Sequence, residues 1–126
     1  MCAAEPGATR RGPRRIQSRG RIARHTELFD VSAQLNLVNL GDAQILTIPG
    51  EALPNIGFYL KRKMRGKHNL LFGLTNDAFG YILTKEDWGS FKRYEYVSRT
   101  CLGEMTGEIL EREALHLVEQ SPRPTP

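Results

Sequence analysis

Three short stretches of this chain carry side chains able to do chemistry. The first is Thr47-Ile48-Pro49-Gly50-Glu51, where a carboxylate follows an apolar run and precedes a helical pattern. In α/β proteins ligand sites gather at such strand-to-helix junctions. A carboxylate there can ligate a metal, act as a general base, or cap the helix that follows, and this residue alone favours the cap. The second is Leu74-Thr75-Asn76-Asp77-Ala78-Phe79-Gly80-Tyr81, a polar turn leading to a glycine and then a phenol. Its glycine suits a close approach of backbone to a ligand. The third, Tyr94-Glu95-Tyr96, offers two more phenols, although tyrosines are on average amphipathic core or rim residues.

The remaining reactive side chains form no pattern. His25, His68 and His116 share no HxxxH or HExxH spacing and read as surface histidines. Cys2 and Cys101 make neither a disulfide framework nor a CxxC metal site. There is no glycine-rich phosphate loop and no GxSxG elbow.

The elements that must position these residues follow from apolar spacing. Ala33–Leu40 reads as a strand with Leu35 and Leu37 on one face, Gly41-Asp42 as a turn, and Ala43–Ile48 as the returning strand of a hairpin. Pro49-Gly50 stops it. Residues 52–65 read as a helix with Leu53, Ile56, Leu60 and Met64 on one stripe. Pro54 is tolerated in its first turn, and Lys61, Arg62, Lys63 and Arg65 suit the negative end of its dipole. Leu70–Leu74 and Phe79–Leu83 read as short strands. Residues 85–91 suggest a helical turn carrying Trp88, and Arg93–Ser98 reads as irregular. A helix capped by Thr100 runs to about Glu119, burying Leu102, Ile109, Leu110, Leu117 and Val118, and Ser121-Pro122 ends it.

The order β-β-α-β-β-α gives an α/β arrangement, α+β if the chain is a fragment: a small mixed sheet with two main helices. Leu70–Leu74 is apolar on both faces, as strands covered on both sides are, and this points to a missing covering layer.

Residues 1–24 hold seven arginines, one acid (Glu5) and almost no large apolar residue, and are expected to be disordered. They carry a net charge of +6, so the chain total of +4 leaves the body at −2. No aromatic platform or recognition helix accompanies the arginines, so they read as a flexible extension rather than a nucleic-acid surface. No secretory signal or transmembrane run is evident. A body at residues 27–119 and a disordered tail at 120–126 complete the expected organisation.

The motif order resembles the neutral/alkaline, non-lysosomal ceramidase family from about Glu27 to Val118. The resemblance rests on LGDAQILTIPGE, then a helix, then LFGLTNDAFGYILTKEDW, RYEY and TCLGEMTG. It implies a zinc amidohydrolase that cleaves the N-acyl amide of ceramide-like lipids. In that family two histidines from the N-terminal half, a glutamate and a tyrosine hold zinc. The last two carry over to Glu51 and Tyr81. A further tyrosine that polarises the amide carbonyl carries over to Tyr94, with Tyr96 the second candidate because one extra residue separates Tyr81 from Tyr94. The Glu51-to-Tyr81 interval is shorter than in the family, and the histidine ligands are absent. The resemblance therefore implies a C-terminal portion of the catalytic domain, inactive alone, with a complementary N-terminal half as partner. Members are often secreted or periplasmic. Two readings from other classes stand beside it: a non-catalytic α/β interaction domain, and a nucleic-acid-associated protein acting through the basic tail.

Overall fold

The computed structural model describes residues 14–20 and 29–125. Its strands are β1 (Arg14–Gly20), β2 (Phe29–Leu35), β3 (Leu37–Leu40), β4 (Ala43–Thr47), β5 (Glu51–Ala52), β6 (His68–Phe72) and β7 (Tyr81–Ile82). The helices are α1 (Pro54–Lys63), α2 (Glu95–Arg99) and α3 (Thr106–Gln120), with a 3-10 turn at Lys92–Tyr94. The result is a small mixed α+β domain.

Its centre is the sheet β3-β4-β6. β3 and β4 form the expected antiparallel hairpin, with Leu40 opposite Ala43 across Gly41-Asp42. β6 pairs parallel to β4, from Ala43 opposite His68 to Thr47 opposite Phe72. A parallel neighbour requires a crossover, and α1 supplies it. Pro54 stands at the first position of α1, where its lack of an N–H is harmless.

One face of this sheet meets α1 and α3 in a single core. Leu35, Leu46 and Ile48 come from the strand side, Ile56 and Leu60 from α1, Met64 from the residue that closes it, and Leu110, Ala114, Leu117 and Val118 from α3. The i, i+4, i+8 spacing of Ile56, Leu60 and Met64 is the stripe expected from the sequence. Each large side chain so buried contributes about 1.5–3 kcal/mol. Arg65, just beyond α1, donates through its guanidinium to the carbonyls of Val118 and Ser121 at the end of α3. Fully buried Gln44 accepts from the Arg65 backbone N–H (2.9 Å) and donates to Asn39 (3.0 Å).

The opposite face stays exposed. Val38, Ile45 and Leu70 stand in one cross-strand row, and Val38 and Leu70 are 48% and 42% exposed. Phe72, two residues further along β6, is 49% exposed. Only Leu71 of this strand's apolar run packs against the core. This is the face over which the sequence called for a covering layer.

Several boundaries differ from those expected. The strand read as Ala33–Leu40 breaks at Asn36, whose backbone N–H donates to Thr47 Oγ1 at 2.9 Å and whose carbonyl accepts from the Thr47 N–H at 2.9 Å. β2 therefore leaves the main sheet and pairs antiparallel with β1. That pairing gives Arg14–Gly20, inside the segment expected to be disordered, a regular strand; residues 1–13 and 21–24 lie outside the described residues. At the other end, Ser121 and Pro122 are tied down by Arg65 and by Asn39, whose side chain donates to the Pro122 carbonyl at 2.9 Å.

The segment read as irregular, residues 93–98, is helical, with Glu95 and Arg99 paired at 2.9 Å one turn apart. The helical turn expected around Trp88 is present at 85–89, with the Trp88 N–H donating to the Thr84 carbonyl four residues back at 3.1 Å. Thr100 does not cap α3. It closes α2 by donating from its backbone N–H to the Tyr96 carbonyl, and α3 begins at Thr106.

Candidate functional site

The PGE stretch and the Leu74–Tyr81 stretch interlock through backbone hydrogen bonds beyond the C-terminal ends of β4 and β6. The Leu74 N–H donates to the Gly50 carbonyl (3.0 Å), Thr75 to Ile48 (3.1 Å) and Phe79 to Pro49 (2.9 Å). In the other direction the Glu51 N–H donates to Gly80 (2.9 Å) and the Leu53 N–H to Ile82 (3.0 Å). β5 and β7 thereby run parallel with Glu51 opposite Tyr81 and Ala52 opposite Ile82. Thirty residues apart in sequence, the carboxylate and the phenol are direct register partners and leave the ladder on the same side.

Gly80 makes this pairing possible. Its φ is +80°, and a Cβ there would lie 2.5 Å from the Thr100 carbonyl oxygen. No other residue fits both conditions. The glycine singled out before Tyr81 therefore serves an approach of backbone to backbone.

Of the further tyrosines, Tyr96 reaches the site. Its ring meets that of Tyr81 in a T-shaped contact, centroids 6.1 Å apart. Tyr94 instead packs against Phe91, with centroids 5.9 Å apart, and the Arg93 guanidinium lies over both rings. The Glu51 carboxylate is exposed, and neither it nor the Tyr81 hydroxyl has a hydrogen-bonding partner among the described residues.

The histidines stand elsewhere. His68 starts β6, at the end of the sheet opposite to the one that leads into Glu51. His116 pairs with Gln120 on the exposed side of α3 at 2.7 Å. His25 lies outside the described residues. Among the described residues no three His, Cys, Asp or Glu side chains come together as a metal cluster. Cys101 is buried and free, with its Sγ 3.3 Å from the Gly103 carbonyl.

Zinc accepts carboxylate oxygen readily, and a catalytic zinc takes three protein ligands beside its open position. Glu51 and Tyr81 are two oxygen donors. They match part of such a shell and do not complete one, so no hydrolytic step is assigned to these residues alone.

A groove of about 500 Å³ opens beside Glu51. Ile48, Gly57, Phe58, Leu71 and Leu74 line it, with Lys61 on the same helix face as Gly57. Sequence reasoning passed over this feature. Lys61 had a sufficient explanation in the helix dipole, and the signal that could have found the groove was a glycine in the middle of a helix.

No family model matches the chain, and no curated protein matches it. Solved structures do. A neutral ceramidase from Pseudomonas aeruginosa superimposes with a TM-score of 0.58 at 21% identity, over 75% of this chain and 16% of that one. A structure described as a ceramidase complexed with C2 gives 0.55 at 23% identity over the same shares. The fold is that of a part of neutral ceramidase. The chain spans 16% of the length of both these proteins, so the likeness concerns one part of a much larger architecture.

Proposed function

We propose that this chain is the C-terminal portion of the catalytic domain of a zinc-dependent amidohydrolase that cleaves the N-acyl amide of ceramide-like lipids. The observation that carries this reading is the register pairing of Glu51 with Tyr81 in a fold shared with neutral ceramidase. In this reading the two residues contribute oxygen donors to zinc, and two histidines come from a complementary N-terminal portion. When bound, such an ion supplies a water acidic enough to be hydroxide near neutral pH. A second phenol donates a hydrogen bond to the oxyanion that develops on the amide carbonyl, an interaction of about 3 kcal/mol. Motif order gives that role to Tyr94; the ring contact with Tyr81 supports Tyr96.

The test is hydrolysis of a fluorogenic ceramide. The isolated chain with added zinc should be inactive. A complementary portion carrying two histidines should restore turnover, and Glu51→Gln should then abolish it with loss of the metal. Tyr96→Phe should lower turnover about 100-fold with zinc retained. A larger loss in Tyr94→Phe would return the carbonyl role to Tyr94. Robust zinc-dependent turnover by the isolated chain would overturn the partial-site reading.

A further inference from the structure

Two residues of the groove beside Glu51 break local backbone preferences in opposite senses. Gly57 sits inside α1, where glycine is unfavourable relative to alanine. A Cβ at Gly57 would meet only Leu71 Cδ1, at an ordinary 3.7 Å, so no close neighbour demands the glycine. Leu74 has the reverse problem. Its φ is +52°, a left-handed conformation that favours glycine, yet it carries a large apolar side chain that is 57% exposed. One position lacks a side chain where the backbone would welcome it; the other carries one where the backbone resists it. Both face the same space. Departures from local consistency of this kind collect at functional sites.

The charges give the groove a polarity. Glu51 borders it, and Lys61 lies one helical turn beyond Gly57. The Lys61 ammonium has no ion-pair partner among the described residues, whereas nearby Lys63 rests over the Tyr59 ring. An anion is repelled at Glu51 and held at Lys61. Between them the lining is aliphatic and aromatic, with Gly57 leaving the room a side chain would take.

We infer that this groove binds a single aliphatic chain ending in a carboxylate, with the carboxylate at Lys61 and the chain laid over Gly57 between Phe58 and Leu74. The inference deepens the amidohydrolase reading, because a long-chain carboxylate is the acid that hydrolysis of an N-acyl amide releases. Its test needs neither metal nor turnover.

Laurate is titrated calorimetrically into the metal-free chain below its micelle concentration. One-to-one saturable binding is expected, with affinity rising about fourfold per methylene from octanoate to laurate. Lys61→Gln should weaken laurate about threefold and leave lauryl alcohol unaffected. Gly57→Leu should fill the groove and abolish binding. Leu74→Gly relieves the left-handed strain, so its urea midpoint should hold or rise while laurate affinity falls at least tenfold, a loss of ~1.4 kcal/mol or more; a general loss of folding cannot produce that pair of results. No laurate binding to the unmodified chain, or undiminished binding by Gly57→Leu or by Leu74→Gly, would overturn the inference. Laurate binding together with failure of every histidine-bearing complement to restore hydrolysis would instead overturn the amidohydrolase reading and leave the groove assignment standing.

Discussion

The ring of Tyr96 stands edge-on to that of Tyr81, at an interplanar angle of 73°. Tyr96 itself is 66% exposed, and this ring contact ties its side chain to the strand pair. Tyr81 is in turn fixed by the β5–β7 ladder opposite Glu51. The geometry thus chains α2 to the strand pair that carries the candidate site.

Removing the Tyr96 ring should free the Tyr81 ring. Tyr96→Ala is expected to lower stability by about 0.5 kcal/mol, the low end for an aromatic pair, because the site is open to water. The Tyr81 ring protons should shift in the NMR spectrum, and Tyr96→Phe should restore them. Tyr94→Ala should leave them in place; the reverse pattern would contradict the ring contact.

Gly80→Ala combines backbone strain with a clash against the Thr100 carbonyl, 2.5 Å from the added Cβ. A loss of about 3 kcal/mol or more in urea unfolding is expected. Gly89 provides the control, since its φ is +61° and a Cβ would meet nothing within 4 Å. Gly89→Ala should lose only about 1 kcal/mol, the strain alone. Equal losses at the two positions would show that the approach to Thr100 is unimportant.

Arg65→Met should loosen the end of α3, because both carbonyls lose the guanidinium and the Val118 carbonyl keeps only the Ser121 N–H. About 2 kcal/mol is expected for hydrogen bonds to a charged group. Arg65→Lys should recover little, since an ammonium lacks the planar fork. Hydrogen exchange at the amides of Leu117–Gln120 reads the effect.

Glu111 titrates above the ordinary glutamate value of 4.5, first because of burial and then because Glu108 and Glu86 lie near. The folded state therefore holds this proton to higher pH than the unfolded state does. Stability falls as pH rises from 4.5 through the raised value, and the penalty then persists. Glu111→Gln should raise the urea midpoint at pH 7, and the gain should shrink towards zero at pH 4. A gain that is the same at both pH values would point to packing instead of charge.

Much of the architecture was legible in the sequence because local chemistry and tertiary packing agree there. Gly41-Asp42 turns a hairpin, Ile56, Leu60 and Met64 mark the buried helix face, and the alternating exposure of Leu70, Leu71 and Phe72 bears out a strand with one uncovered side. The errors fall where tertiary partners override the local pattern. Nothing in the sequence around Asn36 shows that Thr47, eleven residues on, will take up its backbone and end one strand to begin another. Thr100 looks like a helix N-cap, but its hydroxyl turns back to the carbonyls of Tyr96 and Val97. Arg14–Gly20 lacks apolar spacing and draws its regularity from the β2 ladder. Only the family resemblance joined Glu51 to Tyr81; the separate two-residue ladder that aligns them depends on Gly80, whose turn geometry no periodicity reveals.

The uncovered row of Val38, Ile45 and Leu70, with Phe72 beside it, has a thermal consequence. Attraction between apolar surfaces has a near-zero enthalpy around room temperature and weakens on cooling. Whatever covers this face is therefore expected to be held more weakly in the cold than on gentle warming.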